Sequence, residues 1–293
     1  MSAPHAAEHA EIELPQGRIR YRDVGPRNPE APVVVLVHGF LVSGSLWTGV
    51  ADRLAAAGVR SIAPDLPLGS HQLPLTEDAD VSPRGIARLV LDLVAALELT
   101  DVTLVGNDTG GGLCQFVIDT DAQRIGRLVL TNCDCFDQFP PPPFGIAMRA
   151  GKHPALFRAG VRTARATVIR HSALAYGPLV RDRRALDPEL TRSWVDPLVQ
   201  DKAIAHDLAK FCAALDPAEL LDISTRLADF GKPVTLVWGA ADPFFKLALG
   251  CRLRDAFGNA TLIEIADGKT FVPIDEPQRL SDAIVGAGHR LAR

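Results

Sequence analysis

Four short apolar runs constrain this chain more than any other feature: "PVVVLVHG" (32–39), "VTLVGN" (102–107), "IGRLVLTN" (125–132) and "KPVTLVWG" (232–239). None alternates with polar residues, as a strand with one wet face would. Continuous runs rich in β-branched residues suit strands covered on both faces. Helical stretches separate them. "LWTGVADRLAAAG" stops at Gly58, and "SPRGIARLVLDLVAALEL" has Ser82 to cap its first turn and Pro83 just inside it. "RIRYRDV" (18–24) alternates with a period of two and closes an antiparallel hairpin over residues 11–24. "VRSIAPD" and "ATLIEIA" add two more strands, and a helix is expected beyond Pro277. Strands alternating with helices imply an α/β fold, a mostly parallel central sheet flanked by helices.

The rhythm breaks between about 136 and 230. That stretch opens with "FPPPPFG" and reads as several helices separated by Pro, Gly and Asp-Pro steps. The expected organisation is a core domain over 1–135 and 231–293, with 136–230 inserted as a helical cap. Phe136, Phe139, Phe144, Leu156 and Phe157 would give that insertion a greasy pocket. Residues 149 to 192 carry ten Lys or Arg against three Asp or Glu, and Arg158, Arg162 and Arg165 would share one helix face. Such a face is either solvated or turned to an anionic substrate or surface.

Composition narrows the function. Of the 293 residues, 47% are hydrophobic and 23% charged, as in a globular enzyme, and a net charge of −4 argues against nucleic-acid binding. Five scattered cysteines form neither a zinc set nor a disulfide framework. The expectation is therefore no metal, no cofactor, and a reducing cytoplasm. "MSAPHAAEHAEIELPQGR" lacks the apolar region of a secretory leader, and no run approaches the ~20 residues of a membrane span. The expected partner is a small-molecule substrate, with no nucleic acid and no membrane, for a monomer or homodimer.

The chemistry concentrates in "GNDTGG" (106–111), where a strand ends and a helix begins. The pattern is G-x-nucleophile-x-G: small residues flank a sharp turn that pushes Asp108 out at the carboxyl end of the sheet. The Phe40 N–H, from "HGF" (His38, Gly39, Phe40), and the Thr109 N–H would form an oxyanion hole beside it. The plainer alternative has Asp108 capping the following helix.

The order of "HGF", "GNDTGG", helical insertion, "WGAADPFF" and "FVPIDEP" resembles the α/β-hydrolase superfamily over residues 10–293. An aspartate at the elbow resembles its haloalkane dehalogenase and epoxide hydrolase branch. The resemblance implies that the carboxylate attacks an alkyl carbon to form an ester, which water activated by an acid-oriented histidine then hydrolyses. Asp242, after a strand, matches the family's acid, and Asp134 in "TNCDC" is the alternative. The histidine is missing: Thr270 stands in its place in "DGKTFVPIDEP", and a threonine does not titrate near neutrality. Thr109 follows the nucleophile where dehalogenases carry a tryptophan, and only Tyr176 lies in the insertion. His71, on a loop at the same sheet edge, is the candidate replacement base. The expectation is a hydrolase using Asp108 on an alkyl halide, epoxide, ester or lactone. The alternatives are a degenerate ligand-binding protein of the same fold, and a lyase or isomerase with Asp108 as base.

Overall fold

The computed structural model describes residues 8–28, 30–142 and 144–289. The first seven residues, on which the absence of a leader was partly read, lie outside them. The chain runs β1 (Glu8–Leu14), β2 (Gly17–Val24), β3 (Val33–Val37), α1 (Thr48–Ala56), β4 (Arg60–Pro64), α2 (Pro83–Ala96), β5 (Val102–Asp108), α3 (Thr109–Thr120) and β6 (Ile125–Cys133). There follow α4 (Phe144–Gly151), α5 (Pro154–Val161), α6 (Thr167–Arg170), α7 (Pro188–Gln200), α8 (Lys202–Ala214) and α9 (Pro217–Ile223). The core elements resume with β7 (Val234–Gly239), α10 (Leu247–Ala256), β8 (Ala260–Ile265), α11 (Val272–Asp275) and α12 (Pro277–His289).

All eight strands form one sheet in the order β1-β2-β4-β3-β5-β6-β7-β8. The hairpin β1–β2 and the β2–β4 pair are antiparallel, and β3, β4 and β5 to β8 run parallel. The continuous apolar runs are explained by burial on both faces. Val35 and Val37 pack with Ile86, Val90 and Leu113 on one side. Val34 and Leu36 pack with Trp47, Leu54, Leu280 and Ile284 on the other. Local signals hold where they were read: the Ser82 hydroxyl accepts the Gly85 N–H at 3.1 Å to cap α2, and Gly58 leaves α1 at φ +76°.

Between β6 and β7 the regular elements are all helical. One expectation fails here. Arg158, Arg162 and Arg165 do not share a helix face, because α5 ends at Val161 and a 3₁₀ turn carries 162–165. Arg158 turns inward and donates to the carbonyls of Leu198 and Val199, at 3.0 and 2.6 Å, while Arg165 pairs with Asp196 at 2.9 Å. These bonds satisfy acceptors at and near the end of α7 that a solvated arginine would leave to water.

Candidate active site

Strand β5 delivers Asp108 at the carboxyl edge of the sheet, and the turn into α3 is tight enough to hold it at φ +55°. Non-glycine residues avoid that region, so packing imposes it. The glycines around it are forced by close approach. A Cβ at Gly110 would lie 2.3 Å from the Val37 carbonyl, and one at Gly106 2.6 Å from the Gly111 Cα. At Gly39 it would lie 2.2 Å from Asp108 Oδ2 itself. No side-chain cap bond links Asp108 to α3, so the capping alternative is not what the carboxylate does. Instead Oδ2 accepts the Phe40 N–H at 3.1 Å. Burial pushes the Asp108 carboxyl up to about 6, against the Thr109 and Phe40 amides, which favour its ionised form, and with the charge of Asp242 adding to the rise.

His38 shapes this pocket without being free to act in it. Its Nε2 accepts the Leu66 N–H at 2.8 Å, which makes Nδ1 the protonated nitrogen, donating to the Gly39 carbonyl at 2.9 Å. Both ring nitrogens are spent on backbone. Burial drives the imidazole down to about 4, so it stays neutral and holds the Gly39–Phe40 peptide in place.

Asp242 is buried and surrounded by donors. Its Oδ1 accepts the Phe244 and Phe245 amides at 2.7 and 3.1 Å, and its Oδ2 accepts Asn132 Nδ2 at 2.9 Å and the Thr270 hydroxyl at 2.8 Å. Thr270 therefore sits against Asp242 and is itself fully buried. Its carbonyl accepts Asn107 Nδ2 at 2.6 Å. Asp134 is placed differently. Its backbone N–H reaches the Asp108 carbonyl at 3.3 Å, and the Thr109 hydroxyl is the one donor set against its buried carboxyl among the described residues. Burial and then the Asp108 charge push its carboxyl well above the ordinary value, against the Thr109 hydroxyl, which favours the ionised form.

His71 is no exposed loop imidazole. It is buried, and its Nε2 lies 3.2 Å from Asp207 Oδ2 on α8, an acid that also accepts the Leu75 N–H at 3.0 Å. Its Nδ1 is buried without a hydrogen-bond partner among the described residues. The loop bearing it adjoins the oxyanion segment: the Leu41 N–H donates to the Leu68 carbonyl at 3.0 Å, and a Cβ at Gly69 would meet both Leu41 and Leu208. Asp207 and Asn132 escaped sequence reading. Asn132 at least ends a strand at the functional edge; nothing near Asp207 marks it as a partner of a residue 136 positions away.

Aromatic side chains of the helical segment meet the site loops. Phe157 of α5 faces Phe40 with ring centroids 6.3 Å apart, and Phe144 of α4 meets Phe244 at 4.7 Å. Two members of the expected pocket go elsewhere. Phe139 is buried against Phe116, and Leu156 is 67% exposed because it sits on the far side of α5 from Phe157.

Comparison with known proteins agrees with this architecture. The family model described as the alpha/beta hydrolase fold matches residues 32–277. A 2-hydroxy-6-oxononadienedioate/2-hydroxy-6-oxononatrienedioate hydrolase of Paraburkholderia xenovorans is 28% identical over 84% of this chain and 81% of its own. A hydrolase of the same name from Pseudomonas putida is 26% identical over 84% and 82%. Among solved structures, an alpha/beta hydrolase fold protein from Burkholderia ambifaria superposes with TM-score 0.78 at 23% identity, covering 96% of this chain and 99% of that one. The epoxide hydrolase CorEH superposes with TM-score 0.77 at 20% identity, covering 97% and 99%. With its sheet order, elbow and matched segment in agreement, the chain belongs to the alpha/beta hydrolase fold family.

Proposed function

We propose that the protein is a hydrolase in which Asp108 is the nucleophile toward a saturated electrophilic carbon, an alkyl halide or epoxide, beneath a cap formed by residues 136–230. One observation carries this reading: Asp108 Oδ2 already occupies the donors beside Phe40. In a serine enzyme those donors wait for a substrate carbonyl oxygen. Here the carboxylate's own oxygen takes them, which disfavours acyl transfer from esters and lactones. The oxo-dienedioate substrates in the relatives' names, whose cleavage would place a carbonyl oxygen on those donors, are disfavoured in the same way. With Oδ2 held, Oδ1 attacks and a carbon–oxygen bond forms. A halide departs with its electron pair and leaves an alkyl ester of Asp108, whereas an epoxide oxygen stays tethered, takes a proton from water and leaves a hydroxyalkyl ester. Water must then add at the Asp108 carbonyl carbon, where the Phe40 and Thr109 amides stabilise the developing oxyanion.

The second step is the weak one. Thr270 occupies the base's place and spends its hydroxyl on Asp242. The carboxylate–imidazole pair that the chain offers instead is Asp207–His71, with one ring nitrogen unpartnered among the described residues, and we assign it the slow activation of water. The test is intact-mass spectrometry after incubation with reactive alkyl halides and epoxides. A mass increase equal to the alkyl group less one hydrogen for a halide, or to the whole molecule for an epoxide, absent in Asp108→Asn, is expected. No adduct and no turnover with any member of the panel would overturn the reading. A ligand-binding protein that retains the pocket is the second reading, favoured by the Thr270–Asp242 bond, and it predicts ligand-dependent thermal stabilisation with no adduct.

A further inference from the structure

The outer surface of the helical segment is built unlike the rest of the molecule. Residues 138–181 contain no Asp or Glu and seven Lys or Arg, in a chain whose net charge is −4. Five of the six large hydrophobic side chains exposed among the described residues fall in the same stretch: Ile146, Leu156, Val168, Ile169 and Leu174. Helix α5 shows the pattern at residue level. Pro154, Phe157, Arg158 and Val161 turn inward and are half-buried, whereas Ala155, Leu156, Ala159 and Gly160 face outward and are exposed. A helix in the usual surface arrangement puts polar residues on that outer side; this one is apolar there and buries no residue fully. Such a patch marks a contact surface.

The charges flanking the patch say what covers it. Arg149, Lys152 and Arg162 are exposed and form no ion pair among the described residues, while Arg165 and Arg192 both reach Asp196 on α7. The cap's basic side chains thus find partners where an acid exists and lack them on the outer face. A second copy of this chain fits poorly, since a two-fold interface would set the same three cations against themselves. Helices that present apolar side chains among Lys and Arg match the interface of a bilayer, with the apolar groups at the acyl boundary and the bases at anionic headgroups. We propose that the outer face of α4, α5 and α6 docks on an anionic lipid bilayer. Among the described residues no helix is long and apolar enough to cross one, so the association is peripheral. It departs from the expectation of no membrane partner and does not depend on the chemistry assigned to Asp108.

The experiment is flotation of the full-length chain with vesicles of phosphatidylcholine, with and without about one-third phosphatidylglycerol. The protein is expected to float with the anionic vesicles only, and raised salt should release it by screening. Neutralising Arg149, Lys152 and Arg162 to Gln lowers the partition coefficient by about a hundredfold, at roughly fivefold per charge. Leu156→Ser with Val168→Ser lowers it independently. All five positions are exposed, so these variants fold, which far-UV circular dichroism verifies. Absence of flotation, equal flotation with neutral vesicles, or flotation that survives both sets of substitutions overturns the proposal. So does a dimer that the two serine substitutions dissociate in the absence of lipid binding.

Discussion

Replacing Asp108 by Asn should stabilise the fold at neutral pH and do little in acid. Burial lifts the Asp108 carboxyl from its ordinary 3.8 to about 6. Between those values the native state holds its proton while the unfolded chain has lost it, so this residue's contribution is full below pH 3.8 and is lost as pH rises through about 6. Two units correspond to about 3 kcal/mol; part of the side chain remains open to solvent, and screening there trims the figure to about 2 kcal/mol. Asn keeps an acceptor for the Phe40 amide and tolerates the same positive φ, so it removes the charge and little else. His38 works against this in almost the same window. Its folded value of about 4 lies below the ordinary 6.5, so it adds stability above 6.5 that is lost as pH falls toward 4. The two slopes oppose each other in the wild type, and the difference between wild type and variant separates Asp108, with the acids its charge raises, from His38. Urea unfolding, followed by the fluorescence of the buried Trp47, Trp194 and Trp238, measures it. The variant should exceed wild type by about 2 kcal/mol near pH 7.5 and by a few tenths at most near pH 4. An equal difference at both pH values, or a less stable variant at the higher one, refutes the assignment of a buried, strained charge to the elbow.

Thr270→Val keeps the shape and removes the donor to Asp242 Oδ2, so it should cost about 1–3 kcal/mol in thermal unfolding. Thr270→His restores an imidazole beside Asp242; if it is accommodated, the alkyl ester of Asp108 should decay faster by intact mass, and an unchanged lifetime counts against the stalled second step. His71→Phe should lengthen that lifetime without lowering the initial rate of adduct formation, and a lifetime equal to wild type removes His71 from the reaction. Gly39→Ala puts a Cβ 2.2 Å from Asp108 Oδ2, so adduct formation should be lost while circular dichroism stays native; a fully reactive variant would show that the Phe40 bond is dispensable.

What the sequence made legible was local. The strands announced themselves because burial on two faces leaves no polar alternation, and the elbow because Gly106 and Gly110 have no room for a Cβ. The resemblance put Asp242 and Thr270 at the positions of the family's acid and histidine, and the two side chains do meet, at 2.8 Å. Pairings made across the fold were not. Arg158 finds its carbonyls 40 residues away, and His71 finds Asp207 at 136. No periodicity encodes such partners; they exist only once α7 and α8 have been laid against the core. Leu156 misled for a related reason: apolar residues on both sides of a short helix do not say which side faces in, and Phe157 won the inner position against Phe40.

The three acids around the elbow differ in one physical respect, the supply of donors. Asp242 accepts four hydrogen bonds, which offset the burial that raises it. Those bonds tie the 242–245 turn to β6 and to the 270 segment, so an acid at this position has structural work whether or not a base stands beside it. Asp134 has the Thr109 hydroxyl to set against burial and the Asp108 charge, and its carboxyl is raised well above the ordinary value. Asp108 lies between them: amides hold one oxygen, the raised value of about 6 leaves it ionised at neutrality, and its charge is incompletely satisfied. A carboxylate with every lone pair engaged is a poor nucleophile, and a protonated one is poorer still. Asp108 combines a donor-held oxygen with one left to react, and that difference, rather than its place in a motif, is what supports the proposal that it attacks.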